Sequence, residues 1–204
     1  MILKHTTPEG DLLHLKNDNE LVSMTLKNPE IFGQIMNRYY LKLSRYIYRL
    51  SGLLPDEIED VLQNVFIKAY RHLNDFDSNL SFSSWIYRIT HNEAIDYLRS
   101  SKRKSIIIQA DQDDDFIHSI PDSSMDFLKE LDDDLMKIHV SSILQSINER
   151  YRTVLLLKYI EEKNYSEISD ILEIPMGTVA TLIHRAKEEF KKMLSVSKLD
   201  LKNK

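Results

Sequence analysis

The sequence predicts an all-α protein of two small helical domains joined by an acidic flexible linker. Three observations predict it. Apolar residues recur at helical spacing through several long segments. Only 4 Gly and 5 Pro interrupt 204 residues, so turns are scarce. Charge is laid out in blocks: residues 81–104 hold five basic and two acidic residues, a net of +3. Residues 105–135 hold ten acidic residues against Lys129 alone, a net of −9, and residues 180–204 hold seven basic against three acidic, a net of +4. Two basic lobes are tied by an acidic strap, a pattern that the whole-chain charge of −5 conceals.

The first 19 residues carry little pattern. From Glu20 two helical patterns follow, the first (Leu21, Met24, Thr25) ending at Pro29. The second keeps one apolar face from Ile31 to Leu50 and stops at Ser51-Gly52, with Pro55 a fresh start. Asp56, Glu57, Glu59 and Asp60 load the first turn of the next helix, where the helix dipole favours negative charge. Its apolar stripe is Ile58, Val61, Leu62, Val65, Phe66, Ala69, Tyr70 and Leu73.

The most informative stretch is Ser81–Lys104, SFSSWIYRITHNEAIDYLRSSKRK. Phe82, Trp85, Ile86, Ile89, Ala94, Ile95 and Leu98 form one stripe, and Arg88, Asn92, Asp96 and Arg99 the opposite face. A polar loop, 75–81, precedes it. A buried stripe, a cationic outer face and a polar loop at its mouth suggest a platform for a nucleic-acid strand. Further on, the acidic strap reads as mostly disordered, with a helix starting near Ser124. A last helical unit begins at Leu135, and Tyr165–Lys192 reads as a helix-turn-helix. Ser166 is its expected N-cap, Glu173-Ile174-Pro175 its turn, and Pro175 or Met176 the start of the second helix.

Several classes are excluded. With no cysteine there is no disulfide framework or Cys-based zinc site, which fits a reducing cytoplasm. MILKHTTPEG has no long apolar run, so no signal peptide is expected, and no stretch approaches the length of a membrane span. Asp113-Asp114-Asp115 could be imagined as metal ligands of a phosphohydrolase, but an acidic run in a linker without a His or Glu constellation is a solvated spacer. No cofactor or enzyme activity is expected.

The segments DEIEDVLQNVFIKAYRHLNDFD, FSSWIYRITHNEAIDYLR and GTVATLIHRAKEEF together resemble the bacterial RNA polymerase sigma factors, specifically the extracytoplasmic-function (ECF) type of the sigma-70 superfamily. The resemblance covers roughly residues 20–192 and implies three parts: region 2 over 20–104, a linker over 105–135, and region 4 over 136–194. It implies binding to core RNA polymerase, at the clamp coiled coil and the flap, and to promoter DNA. It carries core docking onto Asp60, Gln63 and Asn64, where many relatives have Glu in place of Asn64. Recognition and melting of the minus-ten element falls to Asn79, Ser81, Phe82, Trp85, Arg88, Asn92, Arg99 and Lys102. Asn79 and Ser81 suit base-edge hydrogen bonding because both donate and accept, and Trp85 is read as packing beneath the loop more than touching DNA. Thr178, Thr181, His184 and Arg185 would meet the minus-thirty-five element, with the forked Arg185 guanidinium able to read guanine O6 and N7.

Two departures from the family pattern stand out. Glu173 occupies a turn position that is usually Gly, at a cost of ~1 kcal/mol. Ala180 and Leu182 stand where relatives often carry cations, which lowers phosphate affinity. Many members of the family are held inactive by an anti-sigma protein, so one is a candidate partner. A stand-alone helix-turn-helix regulator is the alternative reading; it leaves Asp60, Gln63 and the SFSSWIYR helix unexplained. The +3, −9, +4 layout further suggests a closed free form with basic faces against the acidic strap, its 111–115 run included.

Overall fold

The computed structural model describes residues 15–108 and 134–202, and among them every regular element is a helix. Helix α1, Asp18–Thr25, opens on a reciprocal capping box: the Asn17 side chain accepts from the Glu20 N–H, and the Glu20 carboxylate accepts from the Asn17 N–H, both at 2.9 Å. This start lies within a stretch that shows little periodicity; the signal was Asn17 three residues ahead of Glu20. After a short 3₁₀ turn at Pro29–Ile31 comes α2, Phe32–Ser51, which buries Phe32, Ile35, Tyr39, Leu43, Tyr46, Ile47 and Leu50 along one face. It ends at Gly52, whose φ of 69° lies in the left-handed region.

Helix α3, Pro55–Arg71, has its proline in the first turn, and the Glu57 carboxylate accepts from the Leu54 N–H at 2.9 Å. Its buried face is Ile58, Val61, Leu62, Val65, Phe66 and Ala69. A 3₁₀ turn at Leu73–Asp75 and the polar loop lead into α4, Phe82–Ile108. Helices α1 to α4 form the first bundle. The second holds α5 (Asp134–Ser146), α6 (Glu149–Leu155), α7 (Tyr165–Leu172) and α8 (Met176–Lys202). Helix α6 runs on into a π turn, Leu156–Ile160, and residues 109–133 of the strap lie outside the described residues.

The two bundles share one continuous core: α4 packs on α7, and α2 touches α5, α6 and the π turn. The lobes therefore meet face to face; the expected contact of their basic faces with the strap's 111–115 run lies outside the described residues. Arg152 is the main polar tie at one end. Its guanidinium donates to the carbonyls of Leu144, Gln145 and Ile147 at the end of α5, and to Leu50 O near the end of α2 at 2.7 Å. Carbonyls at helix C-termini lack intrahelical partners and carry the negative end of the dipole, so one guanidinium satisfies two helix ends.

Two stability predictions follow from this packing. A Cβ at Gly52 would meet only the Gln145 side chain, at 3.8 Å, so Gly52→Ala costs backbone strain and not a clash. We expect a loss of about 1 kcal/mol, read as a lower urea midpoint with unchanged slope. His91 is half-buried, with Nδ1 3.1 Å from the hydroxyl of fully buried Tyr46; desolvation, helped by the Arg99 charge, holds its pKa down to about 4. The folded chain thus prefers neutral His91, while the unfolded chain protonates it below about 6.5. Its contribution is fully present above that pH and is lost as pH falls from 6.5 towards 4, by an amount on the order of 3 kcal/mol. Urea unfolding between pH 7.5 and 4.5 should show that loss, and His91→Gln should flatten it.

Candidate nucleic-acid and polymerase interface

The loop before α4 rests on an aromatic cluster. Phe76, Phe82 and Trp85 stack edge-on or tilted, with centroids 5.3–5.5 Å apart, and Phe82 also meets Tyr39 at 5.7 Å. Trp85 is only 9% exposed and Phe82 2%. Phe82, grouped in sequence with the base-facing residues, therefore points into the core and supports the loop from beneath; a large aromatic at the start of an amphipathic helix is taken by the core first. Asn79 and Ser81 are exposed. The Asp77 carboxylate accepts from both the Asn79 N–H and its Nδ2 at 2.9 Å, and Asn19 Nδ2 donates to Ser78 O at 3.1 Å, which anchors the loop to α1. Beyond the loop, Asn92 and Arg99 are exposed and Arg88 is half-buried; the Lys102 side chain lies outside the described residues.

On α3 the outer face carries Asp60, Gln63 and Asn64, all exposed. Beside Gln63 runs an open apolar groove of about 470 Å³ floored by Phe32, Met36, Phe66 and Tyr70. Exposed Ile67 and Tyr70 extend this apolar surface along the same helix.

In the second bundle Asn164, not Ser166, caps α7: its side chain accepts from the Glu167 N–H, and the Glu167 carboxylate accepts from the Asn164 N–H, both at 2.9 Å. The box places two acceptors three residues apart, a better match to the free N–H groups than one serine inside the first turn. The turn to α8 passes through Glu173, at φ 54°, and Ser169 donates to Ile174 O at 2.5 Å across it. Helix α8 starts at Met176, buries Val179, Ile183 and Ala186, and leaves Thr178, Thr181, His184 and Arg185 exposed. Ala180 and Leu182 are half-buried, and Leu182 packs against the core, which accounts for apolar residues there.

Residues 35–104 match the family described as Sigma-70 region 2, and residues 140–190 match Sigma-70, region 4. The chain is 34% identical to the ECF RNA polymerase sigma factor SigW of Bacillus subtilis (strain 168), over 81% of this chain and 89% of that one. The chain belongs to the sigma-70 family, among its ECF RNA polymerase sigma factors. It is also 33% identical to the ECF RNA polymerase sigma-E factor of Escherichia coli (strain K12), over 84% and 91% of the two chains. Among solved structures it resembles CnrH in complex with the cytosolic domain of CnrY, at a TM-score of 0.64 and 23% identity, over 88% of this chain and 97% of that one. A second is the sigma factor RpoE with the anti-sigma factor NepR from Bartonella quintana, at a TM-score of 0.61 and 21% identity, over 81% and 97%. At such identities both report the fold.

Between regions 2 and 4 lies a polar seam that sequence reasoning missed. The π turn ends by delivering Glu161 against region 2, where its carboxylate accepts from the Tyr87 hydroxyl at 2.5 Å and faces Arg49 at 3.4 Å. Burial raises the Glu161 pKa, offset by the Tyr87 hydrogen bond and by Arg49 and Lys163. Lys163 donates to Ser83 Oγ at 2.6 Å with its ammonium 4.7 Å above the Tyr87 ring, and Gln145 Nε2 donates to Arg49 O at 3.1 Å. Arg88, a residue expected to face DNA, instead pairs with Glu173 at 3.3 Å. No metal-binding group of three or more His, Cys, Asp or Glu occurs among the described residues, and no described helix is long and apolar enough to cross a membrane.

The aromatic support and the loop tip can be separated by mutation. Phe82→Ala should cost about 3–5 kcal/mol through the cavity it leaves, whereas exposed Asn79→Ala should change stability by less than about 0.5 kcal/mol. Parallel thermal and urea unfolding of the two variants checks this.

Proposed function

We propose that this sigma-70 family chain is an initiation factor, not an enzyme, that works in the cytoplasm. It binds core RNA polymerase, directs it to promoters through two helical modules, and supports strand opening. The observation that carries this reading is the coincidence of the two family matches with two outward faces of suitable chemistry. One is the loop and α4 surface of Asn79, Ser81, Asn92 and Arg99, and the other the α8 surface of Thr178, Thr181, His184 and Arg185.

Each step follows from residue chemistry. Opening DNA costs a few kcal/mol per unstacked base step, so an extruded base needs a receiver. Asn79 and Ser81, held at the loop tip on the Phe76–Phe82–Trp85 support, offer donors and acceptors for its edge. Arg88, Asn92, Arg99 and Lys102 hold the strand backbone. Region 4 carries the minus-thirty-five contact in the major groove through the exposed face of α8. Asp60, Gln63 and Asn64 dock core polymerase, with the adjacent groove supplying apolar burial. Each module alone binds weakly, and joining both through core raises the effective concentration of the second contact. An anti-sigma protein, of the kind named with the Bartonella structure, is a candidate partner.

Run-off transcription with sigma-free core polymerase and a pool of genomic promoter fragments tests the assignment. Discrete transcripts are expected with the wild type and should vanish in Asp60→Ala/Gln63→Ala. Failure to bind core would hand the chain to a stand-alone helix-turn-helix regulator. On a mapped promoter, Arg185→Ala should cost about 1–3 kcal/mol and relax discrimination at one base pair of the upstream element.

A further inference from the structure

We propose that α1 carries a second nucleotide subsite, a cleft lined by Lys16, Asn19, Ser23 and Met24 that takes the base next to the one held by the loop. This rests on the sigma-factor reading above. None of the residues expected to meet DNA lies on α1.

Two links bind the start of α1 to the loop. Asn19 Nδ2 donates to Ser78 O at 3.1 Å, one residue before Asn79. Asp18 accepts from the Tyr39 hydroxyl at 2.5 Å and from Arg38 at 2.7 Å, and the Tyr39 ring meets Phe82 of the aromatic shelf at 5.7 Å. Arg38 also donates to Lys16 O at 2.7 Å, which fixes the residues just ahead of the helix. Asn19 and Ser78 stand 59 positions apart in the chain, yet α1 and the loop tip form one rigid edge.

Along that edge lies an open cleft of about 420 Å³, lined by Lys16, Asn17, Asn19, Glu20, Ser23 and Met24. Asn17 and Glu20 are committed to the capping box, and the other four are left to meet a ligand. Asn19 gives its Nδ2 to Ser78 O, which leaves Oδ1 to accept. The Ser23 hydroxyl donates to Asn19 O at 2.9 Å and keeps its own lone pairs. Half-buried Met24 brings a thioether, a good neighbour for an aromatic ring. Lys16 supplies the charge. Its 3.1 Å ion pair with Glu20 is exposed to water on both sides and competes poorly with a phosphate.

These groups match the parts of one nucleotide: an ammonium for the phosphate, acceptors for the base edge and a thioether for the ring. Acceptors favour a base with an exocyclic amino group, adenine or cytosine, over thymine. Reach agrees with this. Adjacent Cα atoms are about 3.8 Å apart, so Asn79 and the Asn19 amide are separated by roughly 7 Å by way of Ser78. Stacked bases lie ~3.4 Å apart and an unstacked strand spans more per nucleotide, so a base at the loop tip brings its neighbour to the cleft.

The test uses the full chain with sigma-free core polymerase, on a promoter mapped by run-off and premelted across the minus-ten element. Single abasic substitutions walked along the premelted strand report which base each residue holds. An abasic site at a held base should weaken wild-type binding about five- to tenfold. Asn79→Ala marks the loop's position by abolishing the penalty there. Ser23 is exposed, so Ser23→Glu should keep the wild-type urea midpoint while placing a carboxylate in the cleft. It should abolish the penalty at a position adjacent to the loop's, keep the loop's own penalty, and lower affinity about threefold. Lys16→Gln, a second variant, should reduce the slope of log affinity against log salt by about one. Coupling of Ser23→Glu to no position, or only to the one that Asn79 marks, overturns the subsite, as does a salt slope unmoved by Lys16→Gln. Run-off transcription by the wild type keeps the two readings apart: its failure removes the sigma assignment and the subsite with it, and its success without coupling at α1 removes only the subsite.

Discussion

Helix α4 has to be buried on more than one side, and most of the structure follows from that constraint. Its predicted stripe, from Phe82 through Trp85 and Ile86 to Ala94 and Ile95, packs against the rest of region 2. Yet Tyr87 and Thr90, off that stripe, are buried as well. Tyr87 stacks edge-on against Tyr46 at 5.4 Å, and its hydroxyl must then find an acceptor, because an unpaired buried hydroxyl is costly. The acceptor comes from region 4: Glu161, delivered by the π turn. A π turn widens the helix by one residue per turn, which re-aims the chain leaving α6.

The same helix carries two kinds of work. Aromatic residues at its start build a rigid shelf, and the polar loop above presents groups whose positions are set by short local bonds, Asp77 to Asn79 and Asn19 to Ser78. Under the proposed function, a receiver for an extruded base would gain from such preorganisation, since little ordering entropy remains to be lost on binding. Farther along, exposed Arg99 faces exposed Asp96 at 3.6 Å. Region 4 solves its recognition problem differently, with a helix that buries Val179, Ile183 and Ala186 and leaves the intervening polar residues outward.

Stability also rests on the seam. Arg152 and the Glu161 cluster tie region 4 to region 2 by satisfying helix-end carbonyls and a buried hydroxyl.

Much of this was legible in one sequence because helices are local. Apolar period, Gly52 after α2, Pro55 before α3, and the Glu173-Ile174-Pro175 turn mark elements through interactions a few residues apart. Family motifs then placed both regions. Capping boxes at Asn17 and Asn164 were equally local and simply less conspicuous than Ser166 or the apolar stripes. What only the tertiary structure decided is long-range. That Arg88 meets Glu173 across 85 residues of chain, and that Glu161 meets Tyr87 across 74, depends on how two bundles dock. Periodicity assigns a face to each helix but not the partner that covers it. The docking of the two described bundles uses single paired groups and desolvation, which no sum of charge along the chain contains.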